Sequence, residues 1–369
     1  MKKVGILSMQ RIANYGSFLQ AFGLKSLLEE LGCDVQFVDY HPGECIIKVN
    51  NSKGILRKLD KVLDAFKLHA PISEKIKYLL YKKNYSKNYY PLLGINEHYN
   101  YSPKLDLLVI GSDEVFNCVQ DNVNVGFSPE LFGKDNRANS VVSYAASFGN
   151  TTLEKLEKYK LRELLEDYFE SFDEISVRDE NSGHIIRELI GLEPNYHLDP
   201  VLIYDFVNKY GNSSIDLKEK YMILYGYTGR FSSEECNIIR KYANRKGLKI
   251  YCIGGLQHCC DKYIDCTPFD VVAYFKNADC VITDTFHGSI LSIITHQKFA
   301  TIIRNKGYGN SEKLTYLLKK LNLENRIVND LTYVDELFET KIDYTVTDKI
   351  IVEERIKSTN YLKRNIENC

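Results

Sequence analysis

The sequence predicts an α/β fold in which two Rossmann-like domains face a cleft. The chain has 369 residues, which is too long for one small domain and suits two of ordinary size. Buried-strand patterns alternate with helical patterns, as expected for parallel sheets whose strands are joined by helices. The alternation closes near residue 210 and begins again at Lys220, which divides the chain into two successive αβ units.

The first unit opens with a strand, a helix and a strand. The strands are "KVGILS" and "CDVQFVDY", and the helix between them, "GSFLQAFGLKSLLEELG", has apolar residues at helical spacing and ends at Gly32. Three further strands follow: "LDLLVIGSDE", "NSVVSYAASFG" and the short run from Glu174 to Val177. The stretch "NYHLDPVLIY" closes this domain, which we place at residues 1–210.

The second unit repeats the same alternation. Its strands are "YMILYGYT", "LKIYCIGG", "DCVITD" and "KFATII", and its helices are "SSEECNIIRKYANRKG", "TPFDVVAYFKNA" and a segment that starts at His287. The tail "TDKIIVEERIKSTNYLKRNI" has a helical pattern of its own. We therefore predict a second domain at residues 218–340 and a C-terminal helix at 345–369.

Composition excludes several classes of protein. Hydrophobic content of 44% and charged content of 26% are typical of a soluble globular protein. The net charge of −1 creates no overall field that would attract nucleic acid. The apolar stretch in the start "MKKVGILSMQ" is too short for a signal peptide, and no apolar run approaches the ~20 residues of a membrane span. These features predict a cytoplasmic protein with reduced cysteines.

One cysteine-rich cluster raises the question of a metal site. Its members are adjacent or six residues apart, whereas zinc ligands come in pairs at two- to four-residue spacing. The sequence therefore favours structural cysteines over a metal centre, and we predict no metal or cofactor. The cluster consists of Cys252, His258, Cys259, Cys260 and Cys266.

A basic insertion interrupts the first domain at about residues 50–100. Residues 53–87 contain ten Lys or Arg and three acids, a net charge of +7. One interpretation is an inserted helical pair whose basic side is solvated, which we favour. The other is contact with the anionic inner face of a membrane. Five apolar residues share one helical face: Leu56, Leu59, Val62, Leu63 and Phe66.

The junction "DCVITDTFHGSILSIITHQKFATII" ends a strand and starts a helix. A helix that begins near His287 presents unpaired N–H groups and the positive end of its dipole, which together form an anion site. Gly288 would let an oxyanion approach the backbone, and Thr285 and Ser289 offer hydroxyl donors. His287 can bind an anion as imidazolium or transfer a proton near neutral pH. The alternative is an ordinary turn with a capping threonine.

Arg178 follows directly on an apolar strand in "ISVRDENS". An arginine in such a place needs a partner, and its planar guanidinium fits a carboxylate or phosphate in two-point fashion. The simpler interpretation is an ion pair with the neighbouring Asp179 or Glu180.

Two other segments also follow strands with polar residues. In "IGSDEVFN", Ser112 turns the strand, and Asp113 and Glu114 place carboxylates where the next helix would start, although acids there are also good caps. No G-x-G-x-x-G motif is present, so the dinucleotide fingerprint is absent. The polar loop after the first strand adds Asn14, Tyr15 and Gly16.

Six ordered motifs resemble the polysaccharide pyruvyltransferase family over roughly residues 4–304. They are "NYGSFLQAFGLKSLLEELG", "IGSDEVFN", "SYAASFG", "ISVRDENSG", "LDPVL" and "TDTFHGSILSIITHQKF". Two departures stand out. Glu114 and Phe116 replace the glutamine and tryptophan of many members, which affects the expected acceptor pocket, and Thr285 stands where serine is common.

The resemblance implies a fold similar to the GT-B glycosyltransferases. It also implies transfer of pyruvate from phosphoenolpyruvate (PEP) onto two hydroxyls of a cell-surface polysaccharide or its precursor, which forms a cyclic ketal. The family's PEP-associated histidine, the residue before it and the "SVR" arginine map onto His287, Phe286 and Arg178. Acceptors in such families include lipid-linked glycans. Competing interpretations are a GT-B glycosyltransferase that uses a nucleotide sugar and a non-catalytic glycan-binding relative.

We assign roles on this basis. Arg178 pairs with the carboxylate or phosphate of PEP, the helix start holds the other anion with His287 as binder or acid, and Asp113 or Glu114 is the base. The second domain is the expected PEP side and the first domain the acceptor side. The predicted substrate-binding residues are Thr285, Phe286, Gly288, Ser289, Asn14, Tyr15, Gly16, Ser112 and Asn117.

Overall fold

The structure, a computed structural model, describes residues 1–47, 64–215, 219–304 and 311–369. It contains two six-stranded sheets in which every neighbouring pair of strands is parallel. The predicted α/β class with two Rossmann-like units is confirmed. The strands are β1 (Lys3–Leu7), β2 (Asp34–Val38), β3 (Lys104–Asp113), β4 (Arg137–Ala146), β5 (Ser176–Val177), β6 (Asn195–Tyr196), β7 (Tyr221–Tyr225), β8 (Lys249–Ile253), β9 (Lys262–Tyr263), β10 (Val281–Thr283), β11 (Phe299–Ile302) and β12 (Ile327–Val328).

Helices connect these strands. Two short 3-10 helices lie at Pro129–Phe132 and Glu324–Arg326. The α-helices of the described residues are α1 (Tyr15–Glu30), α2 (Ile72–Leu93), α3 (Leu153–Lys158), α4 (Arg162–Phe169), α5 (Glu180–Ile190), α6 (Pro200–Ile203), α7 (Phe206–Tyr210), α8 (Ser233–Lys246), α9 (Asp270–Lys276), α10 (Phe286–Ile294), α11 (Ser311–Lys320), α12 (Val334–Glu339) and α13 (Thr345–Asn368).

The strand orders define where a ligand can bind. The first sheet runs β2-β1-β3-β4-β5-β6 and the second runs β12-β11-β10-β7-β8-β9. In each sheet the order reverses once, between β1 and β3 and between β7 and β10. Open α/β sheets bind ligands beyond the carboxyl ends of the strands at such reversals. The fold therefore singles out the residues that follow β1, β3, β7 and β10.

The C-terminal helix α13 returns to the first sheet. Its Tyr361 hydroxyl donates to the Ser143 carbonyl at 2.8 Å, and Arg364 pairs with Glu174 at 2.6 Å. The two sheets fall on either side of the predicted division at 1–210 and 218–340. The domain boundaries themselves stay a prediction.

The basic insertion is described only in part. Leu56, Leu59, Val62 and Leu63 lie outside the described residues, and Phe66 is 46% exposed. Helix α2 buries a row of tyrosines between the two domains: Tyr81 packs 5.5 Å from Tyr15 of the first domain and 5.5 Å from Tyr263 of the second, between ring centroids. The described part of the insertion thus joins the domains.

The ten cysteines are free thiols. Within the described ranges, no group of three or more His, Cys, Asp or Glu side chains could hold a metal ion. Likewise, no helix of the described chain is both long and apolar enough to cross a bilayer. In the predicted cluster, Cys252, Cys259 and Cys260 are buried.

Candidate functional site at the cleft between the sheets

Two helices, one from each domain, begin at the same place. Asn14 caps α1, its Oδ1 accepting from Ser17 N at 2.7 Å, and Thr285 caps α10 through a 3.0 Å hydrogen bond from Gly288 N. A Cβ atom on Gly16 would lie only 2.3 Å from His287 Nδ1. Because only glycine fits so close an approach, Gly16 is required where the first domain meets His287.

Arg178 lies at the centre of a buried ion cluster on the first domain. Its Nη1 donates to Asp199 Oδ2 at 2.8 Å and its Nη2 to Asp113 Oδ1 at 3.0 Å, and its side chain is 1% exposed. The expected ion pair with Asp179 or Glu180 is therefore wrong. Asp179 instead caps α5, accepting from Ser182 N at 2.8 Å, because its backbone position suits an N-cap.

Asp113 is the more accessible of the two carboxylates. Its side chain is 13% exposed, and its Oδ2 accepts from Ser17 Oγ at 2.9 Å. Burial raises the pKa of Asp113, but the charges of Arg178 and His287 outweigh it and lower the pKa below the ordinary value. Asp113 is thus ionised at neutral pH and reaches the cleft.

Asp199 was not among the predicted site residues. It caps α6, accepting from Val201 N at 3.0 Å, and its side chain is fully buried. His287 Nε2 lies 3.5 Å from Asp199 Oδ2, which is longer than an ordinary hydrogen bond. Burial raises the pKa of Asp199, but His287 and Arg178 lower it to about 2. The sequence signal was "LDP", an acid before a proline that starts a helix.

Phe286 lies close to two cations. Arg178 Cζ lies 4.5 Å from the Phe286 ring centroid and Lys313 Nζ lies 5.9 Å from it. The guanidinium is thereby held by a ring face in addition to its two carboxylates. The ring of His287 stands at 90° to that of Phe286, and the histidine side chain is 13% exposed.

Glu114 forms a second ion pair across the cleft. Its Oε1 pairs with Lys313 Nζ, and its Oε2 accepts from Asn117 Nδ2 at 2.8 Å. Burial raises the pKa of Glu114, but the charge of Lys313 lowers it below the ordinary value. Lys313 escaped sequence analysis because a lysine in a helix such as α11 is usually a solvated surface residue.

Several predicted side chains complete the local structure. Ser289 is fully buried, and its hydroxyl lies 2.8 Å from Thr301 Oγ1. A Cβ on Gly288 would lie 2.1 Å from Thr283 Oγ1, so packing alone requires that glycine. The Ser289 hydroxyl and the Thr285 cap therefore stabilise the turn, and their role as anion donors stays a prediction.

The remaining predicted residues divide into two groups. Ser112 is buried beneath the ion cluster, where its hydroxyl lies 3.3 Å from Asp199 Oδ2. Tyr15 is fully buried, and its hydroxyl donates to the Cys266 carbonyl at 3.0 Å, so its side chain belongs to the core. Phe116 is also in the core, 5.1 Å from Phe169 between ring centroids.

A second arginine cluster follows the strands of the second domain. Arg230 Nε donates to Asp284 Oδ2 at 2.7 Å and Arg304 Nε to the same atom at 3.0 Å, while Arg304 also pairs with Glu235. The sequence did not indicate this cluster because its members are up to 74 residues apart.

Tyr227 lies two residues beyond the end of β7, and Arg230 Cζ is 5.6 Å from its ring centroid. Desolvation in the cleft, together with the charges of Glu114 and Asp113, raises the pKa of its hydroxyl to about 12, although 57% of the residue is open to solvent.

Comparison with known proteins gives one family match. Residues 14–306 match the family described as polysaccharide pyruvyl transferase. That range contains Arg178, Asp199 and His287 but ends before Lys313. No curated protein matches the sequence.

Similar solved structures include three enzymes that share little sequence with this chain. Arabidopsis thaliana UGT89C1, complexed with UDP-L-rhamnose, has a TM-score of 0.49 and 10% identity over 99% of each chain. Methanocaldococcus jannaschii UDP-GlcNAc 2-epimerase, in complex with UDP-GlcNAc and UDP, has a TM-score of 0.46 and 11% identity over 96% of this chain and 99% of the other. Acinetobacter baumannii MurG has a TM-score of 0.42 and 10% identity over 100% of both chains.

Proposed function

The chain belongs to the polysaccharide pyruvyl transferase family, and we propose that it transfers pyruvate from PEP onto two hydroxyls of a polysaccharide or its precursor, which forms a pyruvate ketal. One observation carries the proposal: His287 of the second domain meets the Arg178, Asp113 and Asp199 cluster of the first domain in a single cleft. Asp113 at the end of β3 and His287 after β10 lie at strand-order reversals, whereas Arg178 and Asp199 follow β5 and β6.

The donor needs cations beside an apolar surface. PEP carries a phosphate, a carboxylate and a planar enol, and the Phe286 ring centroid lies 4.5 Å from Arg178 Cζ and 5.9 Å from Lys313 Nζ. We assign the enol to the space beside Phe286, with one anion on Lys313 and the other on Arg178. The binding of charge by fixed groups in a cleft that excludes water is a strong source of transition-state stabilisation.

Binding at Arg178 requires an exchange of anions. Both terminal nitrogens of its guanidinium already hold carboxylates, and Asp199 is fully buried whereas Asp113 is partly exposed. Asp113 is therefore the partner that a donor anion would replace. Once Asp113 loses that cation, its pKa rises, which makes it a stronger base toward the acceptor hydroxyl.

His287 supplies the proton in this scheme. Its Nε2 is buried and accepts or donates no hydrogen bond among the described residues, and Asp199 Oδ2 lies 3.5 Å away. The acid protonates the methylene carbon of PEP, and a sugar hydroxyl attacks the resulting cationic carbon while a carboxylate takes the hydroxyl proton. Phosphate then leaves with the electrons of its C–O bond. A second hydroxyl adds to the same carbon and loses its proton, which closes the ketal.

The proposal is tested by titrating PEP into the protein by calorimetry, with UDP and GDP as controls. We expect saturable binding of PEP, no binding of either nucleotide, and phosphate release when an acceptor glycan from a panel is added. Binding of a nucleotide without binding of PEP would contradict the proposal and would favour a nucleotide-sugar glycosyltransferase.

A further inference from the structure

Helix α2 presents a single stripe of apolar and basic side chains to solvent. Its members follow one another at spacings of four, four, three and four residues, so they lie on one face over about 22 Å of helix. Ile72, Ile76 and Leu80 are 68%, 49% and 51% exposed, and Lys83 and Lys87 are also exposed. We name these five residues the α2 stripe.

The stripe has no acidic residue to balance its lysines. Glu74 is the one acid of α2, and its Oε2 accepts from Tyr263 N at 2.8 Å, so it faces inward. Lysines flank the stripe as well, at Lys77 and Lys82. An apolar row that leads into a purely basic row complements a surface with an anionic outer layer and an apolar interior.

The inner side of the same helix holds the loop before α1. The Tyr85 hydroxyl donates to the Asn14 carbonyl at 2.7 Å, and Lys82 Nζ donates to the Ala13 carbonyl at 3.1 Å. That loop leads directly to Gly16, which touches His287. The stripe is thus about one helix diameter, roughly 10 Å, from a wall of the cleft.

We propose that the α2 stripe docks the protein on an anionic lipid bilayer, with Ile72, Ile76 and Leu80 in the headgroup boundary and the lysines on lipid phosphates. A membrane fits better than a second copy of this chain, because a second α2 stripe offers no acid to pair with the lysines of the first. The inference does not depend on the group that the enzyme transfers. It narrows the membrane contact, which was the alternative interpretation of residues 53–87, to one defined face.

Helix α13 provides a matched control. Val352 and Ile356 are 53% and 58% exposed at the same four-residue spacing, but the exposed Glu353 lies beside them. Each apolar side chain of the control pair is thus about as exposed as Ile76 and Leu80 of the α2 stripe, and the balance of charge differs. Only the α2 stripe should bind anionic lipid.

Vesicle flotation tests the proposal with the full-length protein. We expect co-flotation with phosphatidylcholine vesicles containing 30% phosphatidylglycerol, which falls as salt rises, and little flotation with phosphatidylcholine alone. The double variant Lys83→Glu with Lys87→Glu should lower the partition coefficient by at least about 25-fold, since each lysine near such a surface contributes about fivefold. Ile76→Ser with Leu80→Ser should lower it by about tenfold or more.

Three results would overturn the proposal. The first is equal flotation of the wild type and both stripe variants. The second is an equal loss of flotation in the control Val352→Ser with Ile356→Ser. The third is a sedimentation result in which the free wild type is a dimer and Ile76→Ser with Leu80→Ser is a monomer. Circular dichroism checks that each variant folds. Because flotation needs neither PEP nor an acceptor, its outcome is independent of the catalytic proposal.

Discussion

The two domains carry arginine clusters at equivalent edges of their sheets, but the clusters are built in opposite ways. In the first domain one arginine, Arg178, is 1% exposed and two carboxylates surround it. In the second domain one carboxylate, Asp284, is fully buried and two arginines surround it, Arg230 at 11% and Arg304 at 15% exposure. The first cluster hides its cation, and the second hides its anion.

We propose that this inversion gives the two sides of the cleft different roles in the reaction. The first domain presents carboxylates, Asp113 and Glu114, which can take a proton from a sugar hydroxyl. The second domain presents cationic groups, which suit a donor that bears phosphate and carboxylate. We propose the first domain as the acceptor side and the second as the PEP side, with Arg178 as the donor contact contributed by the first domain.

The largest expected effect is on the stability of the protein, and it should differ between the two arginine clusters. Arg178→Met leaves the fully buried Asp199 and the partly exposed Asp113 without this cation, and we expect the free energy of unfolding to fall by about 3–5 kcal/mol. The control Arg304→Met leaves Asp284 paired with Arg230 and should cost clearly less. Urea unfolding of both variants measures the difference, and equal losses would contradict the inverted arrangement.

The next effect concerns the histidine that joins the two sides. His287→Gln removes the proposed acid, and we expect phosphate release from PEP to slow by about 10²- to 10⁴-fold at saturation. His296→Gln is the control, because His296 is an exposed histidine that pairs with Asp348 at 2.8 Å on the surface. If single-turnover phosphate release by His287→Gln matched the wild type while PEP binding weakened, His287 would be a binder and not the acid.

A smaller effect follows from the low pKa of Asp199. Its pKa falls from 3.8 to about 2 on folding, so the ionised form contributes about 2 kcal/mol to stability above pH 4, and this contribution is lost as pH falls from about 4 to about 2. Asp113, whose pKa is also lowered, acts in the same direction. Urea unfolding from pH 5 to pH 2 should show a steeper loss for the wild type than for Asp199→Asn. Parallel curves would refute the assignment.

The smallest expected effect concerns the ion pair between Lys313 and Glu114, which joins the two domains. Lys313→Met removes one cation from the donor side, and we expect the Kd for PEP to rise about tenfold, with a higher pKa for Glu114. Lys320→Met on the same helix is the control, because Lys320 pairs with Glu354 at 3.0 Å outside the cleft. An unchanged Kd in Lys313→Met, measured by calorimetry, would exclude Lys313 from donor binding.

Local patterns in the sequence were enough to predict the fold and part of the site. The alternation of strand and helix periodicity indicated both parallel sheets, and the ends of strands pointed to Arg178, Asp113 and His287. Such predictions work because a buried strand or an amphipathic helix is written in consecutive residues, and because ligands gather beyond the carboxyl ends of parallel strands.

Side-chain partnership could not be predicted in the same way. Arg178 pairs with Asp113, which is 65 positions away, and with Asp199, which is 21 positions away. Glu114 pairs with Lys313 over 199 positions, and the Tyr15 hydroxyl donates to the Cys266 carbonyl over 251 positions. A hydrogen bond depends on distance in space, and many pairings of charged residues satisfy the same sequence equally well. The identity of the helices and strands was therefore encoded locally. The packing of the two sheets and their connecting helices decided which arginine is buried and which carboxylate faces the cleft.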